Sequence, residues 1–157
     1  MTLRGDSGQS VTEVAISLML LVSFSMAAMD FGYLFSKKLT LQNAVRQAGR
    51  YAITGQCITG SNGSCSITRY NSVVQTLQNT SLGYLNSSNT GDVSMTCTNT
   101  GGGCPNNAGG PGDLVTISVS YPYTFLSPML AVLFPNHAYT IKVGASFTNE
   151  SFPPSAS

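Results

Sequence analysis

Charged residues are scarce in this sequence, which has seven Lys or Arg and six Asp or Glu among 157 residues and a net charge of +1. Beyond Tyr51 the charge is sparser still, and is carried only by Arg69, Asp92, Asp113, Lys142 and Glu150. Proteins that bind nucleic acids cluster Lys and Arg to neutralise phosphates. The sequence therefore predicts no nucleic-acid partner.

Residues that usually carry out catalysis are also few. The only histidine, His137, has no acid or thiol near it in sequence. The glycine-rich stretches lack the Lys-Ser/Thr of a phosphate-binding loop and do not open a helix. We expect no enzymatic activity, no catalytic residue and no cofactor, because an active site requires a constellation of such groups.

The four cysteines form two close pairs, and all of them follow the apolar N-terminal part of the chain. An even number of cysteines outside a membrane segment is typical of disulfides in an oxidising compartment. Neither pair has the Cys-x-x-Cys spacing of a zinc site, so we expect no metal. The predicted disulfides each close a short loop and are Cys57–Cys65 and Cys97–Cys104.

One long apolar run is present, from Val14 to Met29, and an acid bounds it at each end, Glu13 and Asp30. Helical apolar spacing without proline continues from Val11 to about Ile53, which predicts a helix roughly 60 Å long, about twice the hydrocarbon thickness of a bilayer. The two acids would lie roughly 25 Å apart along the helix axis, near opposite membrane interfaces. A charge is costly inside a membrane, so each acid is interpreted as interfacial or functional.

Small residues recur along the helix at four-residue spacing, which lets another backbone approach closely. The first row, in or near the membrane, is expected to contact another helix and consists of Ala28, Gly32 and Ser36. The second row is expected to pack against the protein's own sheet and consists of Ala44, Ala48 and Ala52.

The rest of the chain predicts an α+β domain. A second helix is expected after a cap at Ser66 or Thr68. Three segments then alternate apolar and polar residues, as in an antiparallel sheet with one buried face. Their inward positions are Val93, Met95 and Cys97, then Val115, Ile117, Val119 and Tyr121, then Tyr139, Ile141, Val143, Ala145 and Phe147. We expect a long N-terminal helix and a second helix packed on a three-stranded antiparallel sheet.

Three segments of the N-terminal part carry a resemblance to a known family. Gly8-Gln9-Ser10-Val11-Thr12-Glu13 before an apolar run resembles a prepilin peptidase site. Met29 to Phe35 (MDFGYLF) and Leu41 to Ala52 (LQNAVRQAGRYA) resemble the TadE-like minor pilins of tight-adherence (Tad, or Flp) pili. The resemblance covers residues 5–53. The chain lacks the Phe after the glycine that marks type IVa pilins.

The resemblance implies a function and an organisation. The chain would be a minor pilin of a Tad-type (type IVc) pilus, cleaved between Gly8 and Gln9 and then incorporated into the filament or used to prime it, in support of adhesion and biofilm formation. Its implied partners are the prepilin peptidase, the inner-membrane assembly platform, other major and minor pilins, and the membrane. The expected parts are a leader (1–8), a pilin-type helix (9–53, with 11–35 in the membrane), an extracytoplasmic domain (54–152) and a tail (153–157).

The resemblance also implies that Glu13 and Asp30 take part in pilus assembly or in the placement of the helix in the membrane. Glu13 would become the fifth mature residue, and it could pair with the α-amine of Gln9 in a neighbouring subunit and so control register. Asp30 is interpreted either as an assembly contact or as an interfacial polar marker.

The resemblance also suggests a location. The precursor would cross the inner membrane once, with its C-terminal domain in the periplasm, and the mature protein would be in the pilus outside the cell. Lys37 and Lys38 follow the apolar run, and the positive-inside rule alone would place them in the cytoplasm. The cysteines favour the opposite orientation, because disulfides form in oxidising compartments.

An alternative of a different class stays open. The N-terminus could be a secretory signal peptide or an anchor, because Ser25-Met26-Ala27 offers a small-x-small cleavage site. The chain would then be a secreted or membrane-anchored, disulfide-containing binding domain unrelated to pili.

A short apolar helix is predicted from Met129 to Phe134, between Ser127-Pro128 and Pro135. It has apolar residues on every side, whereas a helix that covers a core needs only one apolar face. We expect Leu130, Leu133 and Phe134 to contact a neighbouring pilin or the bilayer surface. Complete burial of this helix within its own domain is the alternative.

Overall fold

A computed structural model of the protein describes residues 6–60, 65–86, 93–99, 102–103 and 108–151. The helices are α1 (Asp6–Ile53), α2 (Arg69–Thr80) and α3 (Pro128–Leu133), and a 3-10 turn (Pro135–His137) follows α3. The strands are β1 (Val93–Asn99), β2 (Gly102–Gly103), β3 (Leu114–Thr124) and β4 (Ala138–Thr148). They form one sheet in the order β2-β1-β3-β4.

The chain forms two compact units. The first contains Met1–Ser36 and Pro122–Tyr139, and the second contains Lys37–Tyr121 and Thr140–Ser157. The first unit therefore holds most of α1 together with α3, and the second holds the outer part of α1, α2 and most of the sheet.

The long helix begins earlier than the sequence predicts. Residues 6–8 are helical, so α1 starts inside the expected leader 1–8 and runs for 48 residues.

The core of the second unit lies between α1, α2 and the sheet. Ala44, Ala48 and Ala52 are fully buried, which confirms that this row of small residues packs within its own domain. Next to Ala48 on the same helix, the backbone of Gly49 lies so close to the Phe147 ring of β4 that a Cβ atom on Gly49 would overlap it. The strands contribute Met95, Cys97, Val115, Ile117, Val119, Ile141 and Val143.

The alternation predicted for the strands is confirmed at their centres, whereas Tyr139 at the start of β4 is 43% exposed. β1 pairs with β3 antiparallel, with Met95 opposite Ile117 and Cys97 opposite Val115. On the other face of the sheet, the hydroxyls of Thr116 and Ser146 lie 2.8 Å apart across β3 and β4. The predicted α+β fold with a three-stranded antiparallel sheet is correct, and the two-residue strand β2 adds a short pairing to β1.

The second helix starts at the predicted position. Thr68 is its N-cap, and its hydroxyl accepts a hydrogen bond from the backbone nitrogen of Asn71 at 3.3 Å. The first predicted disulfide, Cys57–Cys65, is present with its Cα atoms 5.6 Å apart. Cys97 is also disulfide-bonded, and its predicted partner Cys104 lies outside the described residues.

Candidate functional site

Residues 8–29 of α1, here called its inner part, form an apolar surface that is exposed on all sides of the helix. From Gly8 to Met29 every residue is exposed except Ser23 and Ala27, which are half-buried. The most apolar 18-residue window has a mean hydropathy of 2.0 and is only 6% buried. A core helix of a soluble domain would be covered, and so large an apolar surface is not stable in water. Among the described residues, α1 is the one helix long and apolar enough to cross a membrane, and it fits a single-pass anchor.

The predicted processing and register residues lie at the start of this surface. Gly8, Gln9 and Glu13 are all exposed. The hydroxyl of Thr12 donates to the Gln9 carbonyl at 2.8 Å, a bond within one turn of the helix. Within the described residues Glu13 forms no hydrogen bond or ion pair. Its role in register therefore stays a prediction that depends on another molecule.

Asp30 lies in the first unit at the end of the exposed apolar run, and only 1% of its surface is exposed. One carboxylate oxygen, Oδ1, accepts a hydrogen bond from the backbone nitrogen of Leu126 at 2.9 Å. The other, Oδ2, accepts one from the backbone nitrogen of Ser127 at 2.8 Å. The hydroxyl of Tyr123 donates to Oδ1 and to the Asp30 carbonyl, at 3.3 Å each. Asp30 thus binds the chain just before α3.

These contacts satisfy a buried charge, which would otherwise be costly. Hydrogen bonds from backbone N–H groups to a carboxylate are among the stronger ones in proteins. Burial, and then the neighbouring Asp30 charge, raise the pKa of the Tyr123 phenol above its ordinary value, so the hydroxyl remains a donor. The observed role of Asp30 is a contact within its own chain, and the expected role in assembly stays a prediction.

Sequence reasoning singled out Asp30 but not its partners. Tyr123 lies 93 positions away, and Leu126 and Ser127 take part through backbone nitrogens, which have no signature in the sequence.

The predicted helix-packing row is an open surface in the structure. Ala28, Gly32 and Ser36 are all exposed. A Cβ atom on Gly32 would meet no other atom within 4 Å. The row can thus accept another helix at close range, and that contact remains a prediction.

The short helix α3 has both covered and exposed parts. The Phe134 ring stacks on that of Phe125 with centroids 4.6 Å apart, and Tyr139 meets it edge-on at 6.2 Å. Phe134 and Leu130 are half-buried, whereas Val132 is 76% exposed. The Leu133 side chain lies outside what the structure describes. The clearest exposed position is thus Val132, and the contact predicted for Leu130, Leu133 and Phe134 stays untested.

A buried arginine that sequence reasoning missed organises the second unit. Arg69 is 3% exposed, and its guanidinium donates to the carbonyls of Ala52 at 3.0 Å, Ala108 at 3.0 Å and Gly109 at 2.5 Å. Burial lowers the pKa of Arg69 below its ordinary value. Its spacing could have revealed it, because Arg69, Val73 and Leu77 follow one another every four residues and share the buried face of α2. Its contacts indicate a structural role.

No group of three metal-ligating side chains occurs among the residues that the structure describes. The features that single out this chain are therefore the exposed apolar helix, the glycine and glutamate at its start, and the buried Asp30 at its end.

A family model described as TadE-like protein matches residues 8–50. This part of the chain is therefore similar to the TadE-like family. The match starts at Gly8 and includes Glu13, Asp30 and the row Ala28, Gly32 and Ser36, so the resemblance predicted over residues 5–53 is confirmed across most of its length. The match suggests a Tad pilus-associated protein, and the TadE-like family is a structural, non-enzymatic kind of protein. No curated protein and no solved structure matches the chain.

Proposed function

We propose that the protein is a minor pilin of a Tad-type pilus. It is made as a precursor that crosses the inner membrane once through α1, with the disulfide-bearing domain in the periplasm. A prepilin peptidase cleaves it between Gly8 and Gln9, and the assembly platform then passes it to other pilins. It enters or primes the filament, and so supports adhesion and biofilm formation.

One observation carries the proposal: the TadE-like match begins at Gly8, in the first turn of α1, and the apolar stretch that follows it is almost wholly exposed. A helix of this kind suits a subunit that leaves lipid for contacts with other helices. The domain that follows α1 contains the disulfide Cys57–Cys65, which suits an oxidising environment.

Register in the filament would depend on Glu13. Cleavage after Gly8 creates a positive α-amine on Gln9, and a neighbour's Glu13 carboxylate could pair with it. Two charges that leave water together are stabilised only when they meet, so a subunit in the wrong register would carry an unpaired charge. Glu13→Gln should therefore leave cleavage unchanged and reduce incorporation into pili.

The mature N-terminus tests the proposal directly. The full chain is produced in the inner membrane of a bacterial host with and without a co-expressed prepilin peptidase, and the intact mass is measured. We expect Gln9 as the first residue with the peptidase and the full precursor without it. Gly8→Val should prevent cleavage, because a peptidase that closes over a glycine has no room for a branched side chain.

The matched control is Gly5→Val, which places the same side chain three residues before the expected cleavage position and should be processed normally. Cleavage of the Gly8→Val variant after residue 8 would contradict the proposal. A mature protein that starts at Ala28 in both hosts would instead identify a secretory signal peptide and favour a secreted binding domain.

A further inference from the structure

The segment 122–139 contains no Asp, Glu, Lys or Arg, and its one ionisable group besides two tyrosines is His137. Two of its apolar side chains, Leu126 and Val132, are each 76% exposed. Both lie in the same compact unit as the exposed apolar part of α1. An uncharged segment with protruding apolar side chains is typical of a surface that meets a partner or a membrane.

Asp30 determines where this segment lies. Its carboxylate holds the backbone nitrogens of Leu126 at 2.9 Å and Ser127 at 2.8 Å. The backbone at Leu126 therefore lies against α1 at the position where the apolar run ends. The exposed residue Met29 immediately precedes that position.

The length of the apolar run places Asp30 at a membrane boundary. From Glu13 to Asp30, the two acids that bound the apolar run, an α-helix rises roughly 25 Å, which is comparable with the roughly 30 Å of the hydrocarbon core. Three exposed aromatic residues follow, Phe31, Tyr33 and Phe35, and aromatic side chains are enriched where hydrocarbon meets headgroups. The membrane part of α1 would then end near residue 30 rather than at residue 35.

We propose that Leu126 and Val132 insert into the lipid interface of the leaflet nearer to Asp30, so that the chain has a second, monotopic membrane contact beside its helical anchor. The occupant of this surface is lipid because the segment is uncharged, and because hydrogen bonds to Asp30 hold it at the end of a bilayer-length apolar helix. Apolar side chains of peripheral membrane segments bind at the boundary between the lipid headgroups and the acyl chains. The proposal rests on α1 spanning the bilayer, as the proposed function requires.

The absence of tryptophan makes a direct test possible, because one introduced tryptophan is the only one in the chain. Leu126→Trp and Val132→Trp are made separately in the full chain and reconstituted in phosphatidylcholine–phosphatidylglycerol vesicles. The vesicles carry brominated lipids, with bromine either near the headgroups or near the bilayer midplane. We expect blue-shifted emission from both variants and stronger quenching by the shallow bromines than by the deep ones.

Two matched variants calibrate the measurement. Phe24→Trp replaces a residue in the middle of the anchor that is 74% exposed, and the deep bromines should quench it most. Leu82→Trp replaces a residue of the second unit that is 78% exposed, and it should emit as in water and remain unquenched.

The possible outcomes separate this proposal from the proposed function. If Phe24→Trp is quenched while Leu126→Trp and Val132→Trp emit as in water, the anchor is in the bilayer and the lipid contact is refuted. A protein partner would then be the occupant of this surface. If Phe24→Trp is not quenched, α1 does not span the bilayer, and both proposals fail.

Discussion

Oδ2 of Asp30 accepts a hydrogen bond from the backbone nitrogen of Ser127 at 2.8 Å, although 97 positions separate the two residues. Ser127 is the N-cap of α3, and its own side chain makes no capping hydrogen bond. The carboxylate of α1 therefore binds backbone nitrogens at the start of another helix. Asp30, at the end of the apolar run of α1, thus connects two segments of the first unit that are far apart in sequence.

Replacing Asp30 by Asn should loosen the segment just before α3. An amide keeps one acceptor oxygen, but its NH₂ group faces a backbone N–H that has no other acceptor. Hydrogen bonds to a charged group contribute about 1.5–3 kcal/mol. Hydrogen exchange at the amides of Leu126 and Ser127 should accordingly accelerate by roughly ten- to a hundredfold, since each 1.4 kcal/mol is about a factor of ten.

The control for this variant is Glu13→Gln, which makes the same change at an exposed acid that forms no hydrogen bond or ion pair within the described residues. The amides of Ala44 and Ala48 in the second unit serve as an internal reference and should not change. Equal exchange at Leu126 in the Asp30→Asn and Glu13→Gln proteins would show that the carboxylate does not hold this segment.

Much of the fold follows from periodicity. The alternation through Val115, Ile117 and Val119 predicts the buried face of β3, because side chains of a strand point to opposite sides in turn. The small residues Ala48 and Ala52 mark the buried stripe of α1 in the same way. Such patterns are local, so one sequence is enough to find them.

The contacts of Asp30 and Arg69 could not be predicted, and for a shared physical reason. Both side chains bind backbone groups of segments far away in sequence, and every residue except proline offers the same N–H and carbonyl. Sequence shows that a charge lies among apolar residues and therefore needs partners. Which segment provides them depends on the tertiary fold.

Gly49 is expected to tolerate no side chain. A Cβ atom there would overlap the Phe147 ring, so Gly49→Ala must displace the ring or separate α1 from β4. Overpacking of this kind costs about 1–3 kcal/mol. Chemical denaturation of the detergent-solubilised chain should show a corresponding loss in the free energy of unfolding.

The matched substitution is Gly32→Ala, at a helical glycine where a Cβ atom meets nothing within 4 Å. It should be neutral or stabilising by up to about 1 kcal/mol, the helix propensity that alanine gains over glycine. Adding Phe147→Ala to Gly49→Ala should remove the clash. A Gly49→Ala protein as stable as the Gly32→Ala protein would contradict the close packing of α1 on β4.

Replacing Arg69 should destabilise the protein, even when the new residue is lysine. Its guanidinium reaches the carbonyls of Ala52, Ala108 and Gly109 at once, a geometry that requires the planar fork, whereas lysine offers a compact point charge. Arg69→Lys and Arg69→Met should each lower the free energy of unfolding by about 1–3 kcal/mol, the cost of a buried group left without its partner.

Arg50→Met is the control for this pair, because Arg50 is an exposed arginine in the last turn of α1. Exposed substitutions of this kind change stability by no more than about 0.5 kcal/mol. If Arg69→Lys were as stable as the Arg50→Met protein, the three carbonyl contacts would contribute little to the second unit.

Phe134 and Val132 should respond differently to the same substitution, although only one residue separates them. The Phe134 ring stacks on Phe125 at 4.6 Å and meets Tyr139 at 6.2 Å, so Phe134→Ser removes aromatic contacts and should speed hydrogen exchange throughout residues 122–139. Its cost should be about 1–3 kcal/mol, less than the 3–5 kcal/mol typical of fully buried aromatics, because the ring is half-buried. Val132 is 76% exposed, so Val132→Ser should leave exchange in detergent unchanged. If both variants accelerated exchange equally, Val132 would be part of the packed interior and would not be available to lipid.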